Sequence, residues 1–286
     1  MSSRTVLVGY DGSPQADRAI EVASRLLPRM QAAVVMVWHG LWPSRDLLHE
    51  ILNEHENVTI DDLAARLREI GEEAALATAA RGAERAREAG WDAQGSARQS
   101  QQGVWFELPA LASETGAEVV VLGADAGVGP LGRVAHAVVR IADQPVLVVR
   151  EDTPDTALDA PLVIGYDGSV PAQHAITAAG VLFPGRRAIV VHTGDLEIAT
   201  EGEQAAVAAG LNAEALLVQK APLDVVRPEG AAWNQLSAVA DEHEAAAIVV
   251  GSRGTGALRR FVLGSVTGGL LRHARRPVLV VPEPRT

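Results

Sequence analysis

Residues 6–28, VLVGYDGSPQADRAIEVASRLLP, align without a gap against residues 162–184, LVIGYDGSVPAQHAITAAGVLFP. Gly-Tyr-Asp-Gly-Ser is identical in both, Ala19-Ile20 recurs as Ala175-Ile176, and Pro28 recurs as Pro184. Further on, VWFELPALASETGAEVVVLG (104–123) matches AWNQLSAVADEHEAAAIVVG (232–251) in pattern, with Trp105 over Trp233 and Leu108 over Leu236. Each copy closes on an identical PVLVV, at 145–149 and 277–281. Three collinear matches make this a duplicated domain. Whatever architecture the first copy builds, the second must build again.

Within a copy the hydrophobic period changes regularly. The second copy reads as strand LVIGYD, helix 171–182, strand AIVVHT and a short helix around 204–209. Strand EALLVQK follows, then helix 231–243, strand AAIVVG, a glycine loop, helix 266–274 and strand PVLVV. Short continuous runs of Val and Ile predict strands covered on both faces. Their alternation with helices predicts an α/β fold, doubly wound around a parallel sheet. Two such domains, 1–150 and 162–286, are expected, joined by the polar linker 151–161. The first copy carries an extra stretch, HGLWPSRDLLHEILNEHENVT (39–59), and a long helical run from about 61 to 89.

The 286 residues suit two domains, and 48% hydrophobic content suffices for two cores. A formal net charge of −11 and 3% aromatics argue against nucleic acid as partner, which calls for surplus Lys and Arg and for stacking platforms. The chain has no cysteine, which excludes disulfides, thiolate chemistry and Cys-ligated zinc. MSSRTVLVGYDGS runs straight into a strand, and no apolar run approaches the roughly 20 residues that span a bilayer. A cytoplasmic protein without membrane contact is expected.

The stretch GSRGTGALRRFVLGS (251–265) differs most from the first copy. In open α/β sheets, ligands bind beyond the carboxyl ends of the strands, where the strand order reverses. Gly251, Gly254 and Gly264 would let backbone amides approach an anion, and Gly264-Ser265 opens a helix whose N-terminus attracts negative charge. Ser265 can cap that helix or donate to a phosphate. Arg253, Arg259 and Arg260 add positive charge to an acidic protein. Asp167, ending the first strand of this copy, suits a ribose hydroxyl or a divalent cation. A phosphate cradle results. On the loop alone, a tight strand-to-helix connection with an N-cap serine accounts for the same residues.

The pattern Gly251-x2-Gly254-x9-Gly264-Ser265, followed by VTGGLLRHARRPVLVV, resembles the ATP-binding signature of the universal stress protein family, and GYDGS resembles its first-strand end. The resemblance covers nearly the whole chain, so the sequence is similar to a tandem universal stress protein. It implies a five-stranded parallel sheet of order 3-2-1-4-5 in each domain, with helices on both faces. It also implies that the two PVLVV strands pair antiparallel. ATP is the implied ligand, with magnesium as its companion ion. Adenine would lie near Val190 and Val191, and ribose near Asp167, which would also reach the metal. Val250, Gly251, Arg253 (by its backbone), Gly254, Gly264, Ser265, Val266 and Thr267 would surround the ribose and phosphates.

The first copy departs from this pattern. Gly123 to Pro145 is 22 positions and Gly251 to Pro277 is 26, so four residues are missing and Gly132-Arg133 stands opposite Gly264-Ser265. The first site is expected to be silent or to take something smaller. GVGPLG (127–132) imitates a dinucleotide fingerprint but follows the fourth strand rather than the first. His49, Glu50, Glu54 and His55 read as a solvated helix face, and His39 and His192 as strand ends near the pocket rims. No base is evident beyond Asp167, so no catalytic residue is assigned. A nucleotide-responsive binding module is expected, homodimeric, with unknown protein partners. A slow ATPase or autophosphorylating enzyme and a nucleotide-free scaffold are the alternatives.

Overall fold

The computed structural model describes residues 4–40, 59–124, 130–193, 195–218, 231–253 and 263–283. The first copy runs β1 (Thr5–Gly9), α1 (Pro14–Leu26), β2 (Gln31–Trp38), α2 (Ile60–Glu88) and β3 (Asp92–Gln99). It continues with α3 (Val104–Thr115), β4 (Val119–Ala124), α4 (Pro130–Ile141) and β5 (Val146–Arg150). The second runs β6 (Leu162–Gly165), α5 (Val170–Leu182), β7 (Arg187–Thr193), α6 (Leu196–Ala208) and β8 (Asn212–Val218). It closes with α7 (Ala232–Glu242), β9 (Ala247–Gly251), α8 (Ser265–His273) and β10 (Val278–Val281).

Apolar runs became strands where both faces are covered. β4 (VVVLGA) is buried at all but one position and β9 (AIVVG) at every position. The outermost strands, β3 and β8, are more polar and partly exposed, as edge strands that resist further pairing tend to be. The strand order is β3-β2-β1-β4-β5-β10-β9-β6-β7-β8. Each copy is therefore a doubly wound α/β sheet of order 3-2-1-4-5, with parallel neighbours throughout. Among the described strands the join alone is antiparallel: Leu279 faces Leu147, with Val278 on Val148 and Val280 on Val146.

The join makes one ten-stranded sheet with two continuous apolar layers. One lies under α1, the end of α2, α5 and α6, and includes both Leu147 and Leu279. The other lies under α3, α4, α7 and α8, and includes Val146, Val148, Val278 and Val280. Neither layer stops at the boundary between the copies.

The repeated YDGS turns by the same chemistry twice. Asp11 Oδ1 accepts from Ser13 N at 3.0 Å, and Asp167 Oδ1 accepts from Ser169 N at 3.1 Å. Gly12 and Gly168 take the left-handed φ of 80° and 76° that a side chain would strain. Ser13 and Ser169 then cap α1 and α5 through Ala16 N and Ala172 N.

The expected short helix around 204–209 is longer: α6 covers Leu196–Ala208. Its start is fixed by Asp195, whose carboxylate accepts from Glu197 N and Ile198 N. Gly202 within it marks a close approach, since a Cβ there would lie 2.6 Å from the Tyr166 ring.

Where the copies meet, His136 on α4 is half-buried near Arg272 on α8. Burial first, and the arginine's charge second, hold its pKa below the ordinary 6.5. The unfolded chain therefore takes up this proton before the folded chain does. The contribution is complete above about pH 6.5 and is lost as the pH falls from there towards the lower folded pKa. Urea midpoints of wild type and His136→Gln, compared between about pH 7.5 and 5, should diverge with the wild type losing more. Parallel curves would show that His136 does not couple to folding.

Candidate functional site

β6 and β9 are neighbours, yet the chain leaves β6 for α5 on one face and β9 for α8 on the other. The order reverses there, and a cavity of about 490 Å³ opens at the carboxyl ends of the strands. Val191, Leu236, Val250 and Leu263 form its apolar wall, brought from β7, α7, β9 and the residues before α8. Asp167, Arg253, Ser265 and Thr267 stand among its polar residues.

The start of α8 is arranged for an anion. Gly264 is its N-cap and supplies no side-chain acceptor, and the first helical bond runs from Gly268 N to Gly264 O at 2.9 Å. Among the described residues, the N–H groups of Ser265, Val266 and Thr267 thus have no partner within the helix. Ser265 is exposed and is the first helical residue rather than the cap. Thr267 is buried, and its hydroxyl donates to Gly251 O at 2.8 Å, tying the first turn of α8 to the end of β9. Gly264 N donates to Ser252 O at 3.1 Å and closes the base of the loop.

Gly251 itself answers to packing. A Cβ there would lie 2.8 Å from the Pro171 backbone, where β9 crosses the start of α5. Gly123 meets Gln15 in the same way at 2.5 Å, so this glycine is required in both copies whatever they bind. Gly254, Arg259 and Arg260 lie outside the described residues.

The cavity takes in Asp167, Val191, Val250, Gly251, Arg253, Gly264, Ser265, Val266 and Thr267 together. Val190, expected beside Val191, is not part of that lining. Strand alternation turns its side chain to the opposite face, where it is fully buried beside Gly202. Ala232, Leu236, Thr193 and Leu263 were missed. Leu236 carried a signal in the repeat, since its counterpart Leu108 lines the equivalent space in the first copy.

His192 reaches the cavity, with Nδ1 2.7 Å from Tyr166 O. Tyr166 donates its hydroxyl to Glu201 at 3.1 Å. Burial first, then that bond, pushes its pKa up to about 12, so it remains a donor at neutral pH. His39 instead lies against Ser100 O at 3.1 Å, away from the first copy's cavity.

The corresponding space in the first copy is about 100 Å³. There α4 begins at Pro130, ahead of Arg133, which aligns with Ser265. Val134 and Ala135 of α4 line that space. A second difference is aromatic. Trp233 stacks on His273, with centroids 4.7 Å apart and planes at 25°, and packs against Gly269. Its counterpart Trp105 is 42% exposed and makes an edge contact with Phe106. Ala137 stands where the second copy has Gly269.

Among the described residues no group of three or more His, Asp or Glu could hold a metal. His49, Glu50, Glu54 and His55 lie outside them, as do the first three residues of GVGPLG. No described helix is long and apolar enough to cross a membrane.

The profile of the universal stress protein family matches residues 2–150 and 161–282. Universal stress proteins of Mycobacterium bovis and Mycobacterium tuberculosis are each 32% identical over 186 residues, 58% of this chain. The matched region spans 62% of the length of those relatives. A crystal structure of a universal stress protein from Archaeoglobus fulgidus is similar with a TM-score of 0.64 at 19% identity, covering 99% of both chains. At that identity the likeness is one of fold.

Proposed function

The chain belongs to the universal stress protein family, and on that premise we propose that its second copy binds an adenine nucleotide, ATP by preference, and acts as a nucleotide-responsive module. The observation that carries this reading is the 490 Å³ cavity at the switch point, apolar along one wall and anion-seeking at one end. Its volume falls within the roughly 300–1,000 Å³ of small-molecule sites. In this reading adenine lies against Val191 and Leu236, and ribose at Asp167. The phosphates meet Arg253 and the amides of Gly264, Ser265, Val266 and Thr267.

Magnesium fits only as part of the ligand. Asp167 is the one carboxylate among the described cavity residues, so phosphate oxygens and water would supply the other positions. With Asp167 engaged by ribose or metal, the described lining holds no second carboxylate to activate water, and the His192 ring is tied to Tyr166 O through Nδ1. Turnover should therefore stay below about 1 per second, the low end for enzymes. The first copy, with its smaller space and early α4, is assigned no ATP. Association of two chains belongs to the same reading and would use surfaces other than β5 and β10, which already cover each other. A cytoplasmic nucleotide pool is the setting in which such a site would fill.

Heat-denaturing the purified protein and quantifying released nucleotides by mass spectrometry tests this. One adenine nucleotide per chain is expected. Two per chain would overturn the silent first copy. None, even after adding ATP and magnesium, would remove the nucleotide reading and leave a scaffold. Steady phosphate release abolished by Asp167→Asn would make the protein a hydrolase instead.

A further inference from the structure

Arg253 is the only Arg or Lys among the described residues of the cavity lining. Its side chain is 19% exposed, and Nη2 donates to the carboxylate of Glu283, itself 38% exposed. Arg253 follows β9 and Glu283 follows β10. These strands are parallel neighbours, so both residues leave the same end of the sheet. The pairing is not a by-product of the repeat. Glu151 stands at the equivalent place after β5, but there it accepts from the Gln15 side chain at 3.0 Å. The residue aligned with Arg253 is Asp125.

We propose that Glu283 is a specificity-determining residue that sets how strongly this cavity distinguishes a phosphorylated nucleoside from an unphosphorylated one. The proposal rests on the reading that the cavity takes an adenine nucleotide. The Arg253 guanidinium already has an anion before any ligand arrives. A phosphate reaching it must displace a carboxylate, so it gains only the difference between two charge-assisted bonds. A nucleoside uses the apolar wall and Asp167, leaves Arg253 untouched and meets no such competition. Glu283 thus lowers the preference for phosphate without touching base or ribose.

The test is calorimetric titration of the full chain, stripped of nucleotide, with ATP and with adenosine. Wild type, Glu283→Gln, Arg253→Gln and the double variant are compared. Glu283→Gln should bind ATP about two- to five-fold more tightly, the worth of one partly exposed ion pair, with adenosine unchanged. The gain should vanish when Arg253→Gln is also present, because the two residues act as a pair. Equal changes for both ligands, no change for either, or a gain that survives Arg253→Gln would overturn the proposal while leaving the nucleotide reading intact. A wild type that binds neither ligand would remove that reading, and the proposal with it.

Discussion

Truncating Leu279 to alanine should lower the stability of the whole chain by about 2–5 kcal/mol, the cost of emptying a buried leucine site that cannot fully collapse. Leu279 is fully buried and faces Leu147 at the centre of the only antiparallel pairing among the described strands. Both leucines belong to an apolar layer that continues under the helices of both copies. The loss should therefore be felt on both sides of the join. Differential scanning calorimetry should show one transition, displaced downward by roughly 2–4 °C per kcal/mol. Two separate transitions, with only the second copy's moved, would mean that the copies fold independently.

Gly269→Ala should cost both stability and nucleotide affinity. A Cβ at 269 would lie 2.3 Å from Trp233 Cγ and 2.4 Å from Cδ1, at the base of the ring rather than its mobile edge. Relieving that contact means pushing Trp233, and α7 with it, away from α8. Overpacking of this kind costs about 1–3 kcal/mol. Because α7 also carries Ala232 and Leu236 into the cavity, nucleotide affinity should fall about tenfold, equivalent to 1.4 kcal/mol. The first copy has already made this exchange: Ala137 occupies the aligned position and Trp105 is turned out. The reverse change, Ala137→Gly, should offer Trp105 a seat and shift tryptophan fluorescence to the blue. A Gly269→Ala protein within about 0.5 kcal/mol of wild type, the range of ordinary surface substitutions, would show that Trp233 yields cheaply and that another cause exposes Trp105.

The duplication and the winding of each sheet were legible because both are written in repeated, local signals. Runs such as VVVLG and AIVVG allow few places except between helical layers. The antiparallel join was not legible from the residues. Two identical PVLVV segments say that each ends a sheet, and only the family resemblance said that they meet. Within the site, the positions set by one turn or one strand end were accessible: Asp167, Gly251, Gly264, Ser265. Val190 could not be told from Val191 because the buried stretch AIVV is apolar on both faces, so alternation leaves no mark in the sequence. Glu283 was invisible for another reason. It lies 30 residues from Arg253 along the chain, and only the register of β9 against β10 brings them together.

The pseudo-symmetry at Leu147 and Leu279 also bears on heredity. In an assembly of two identical chains, every substitution is made twice, and a change that spoils one cleft spoils both. Here the two halves of the sheet are encoded separately yet held together at any dilution. A connection shortened as it is ahead of α4 can close one cleft while the other keeps its shape. The covalent link gives natural selection two drafts of one domain to edit apart, and Trp105 and Trp233 already differ as such edits would.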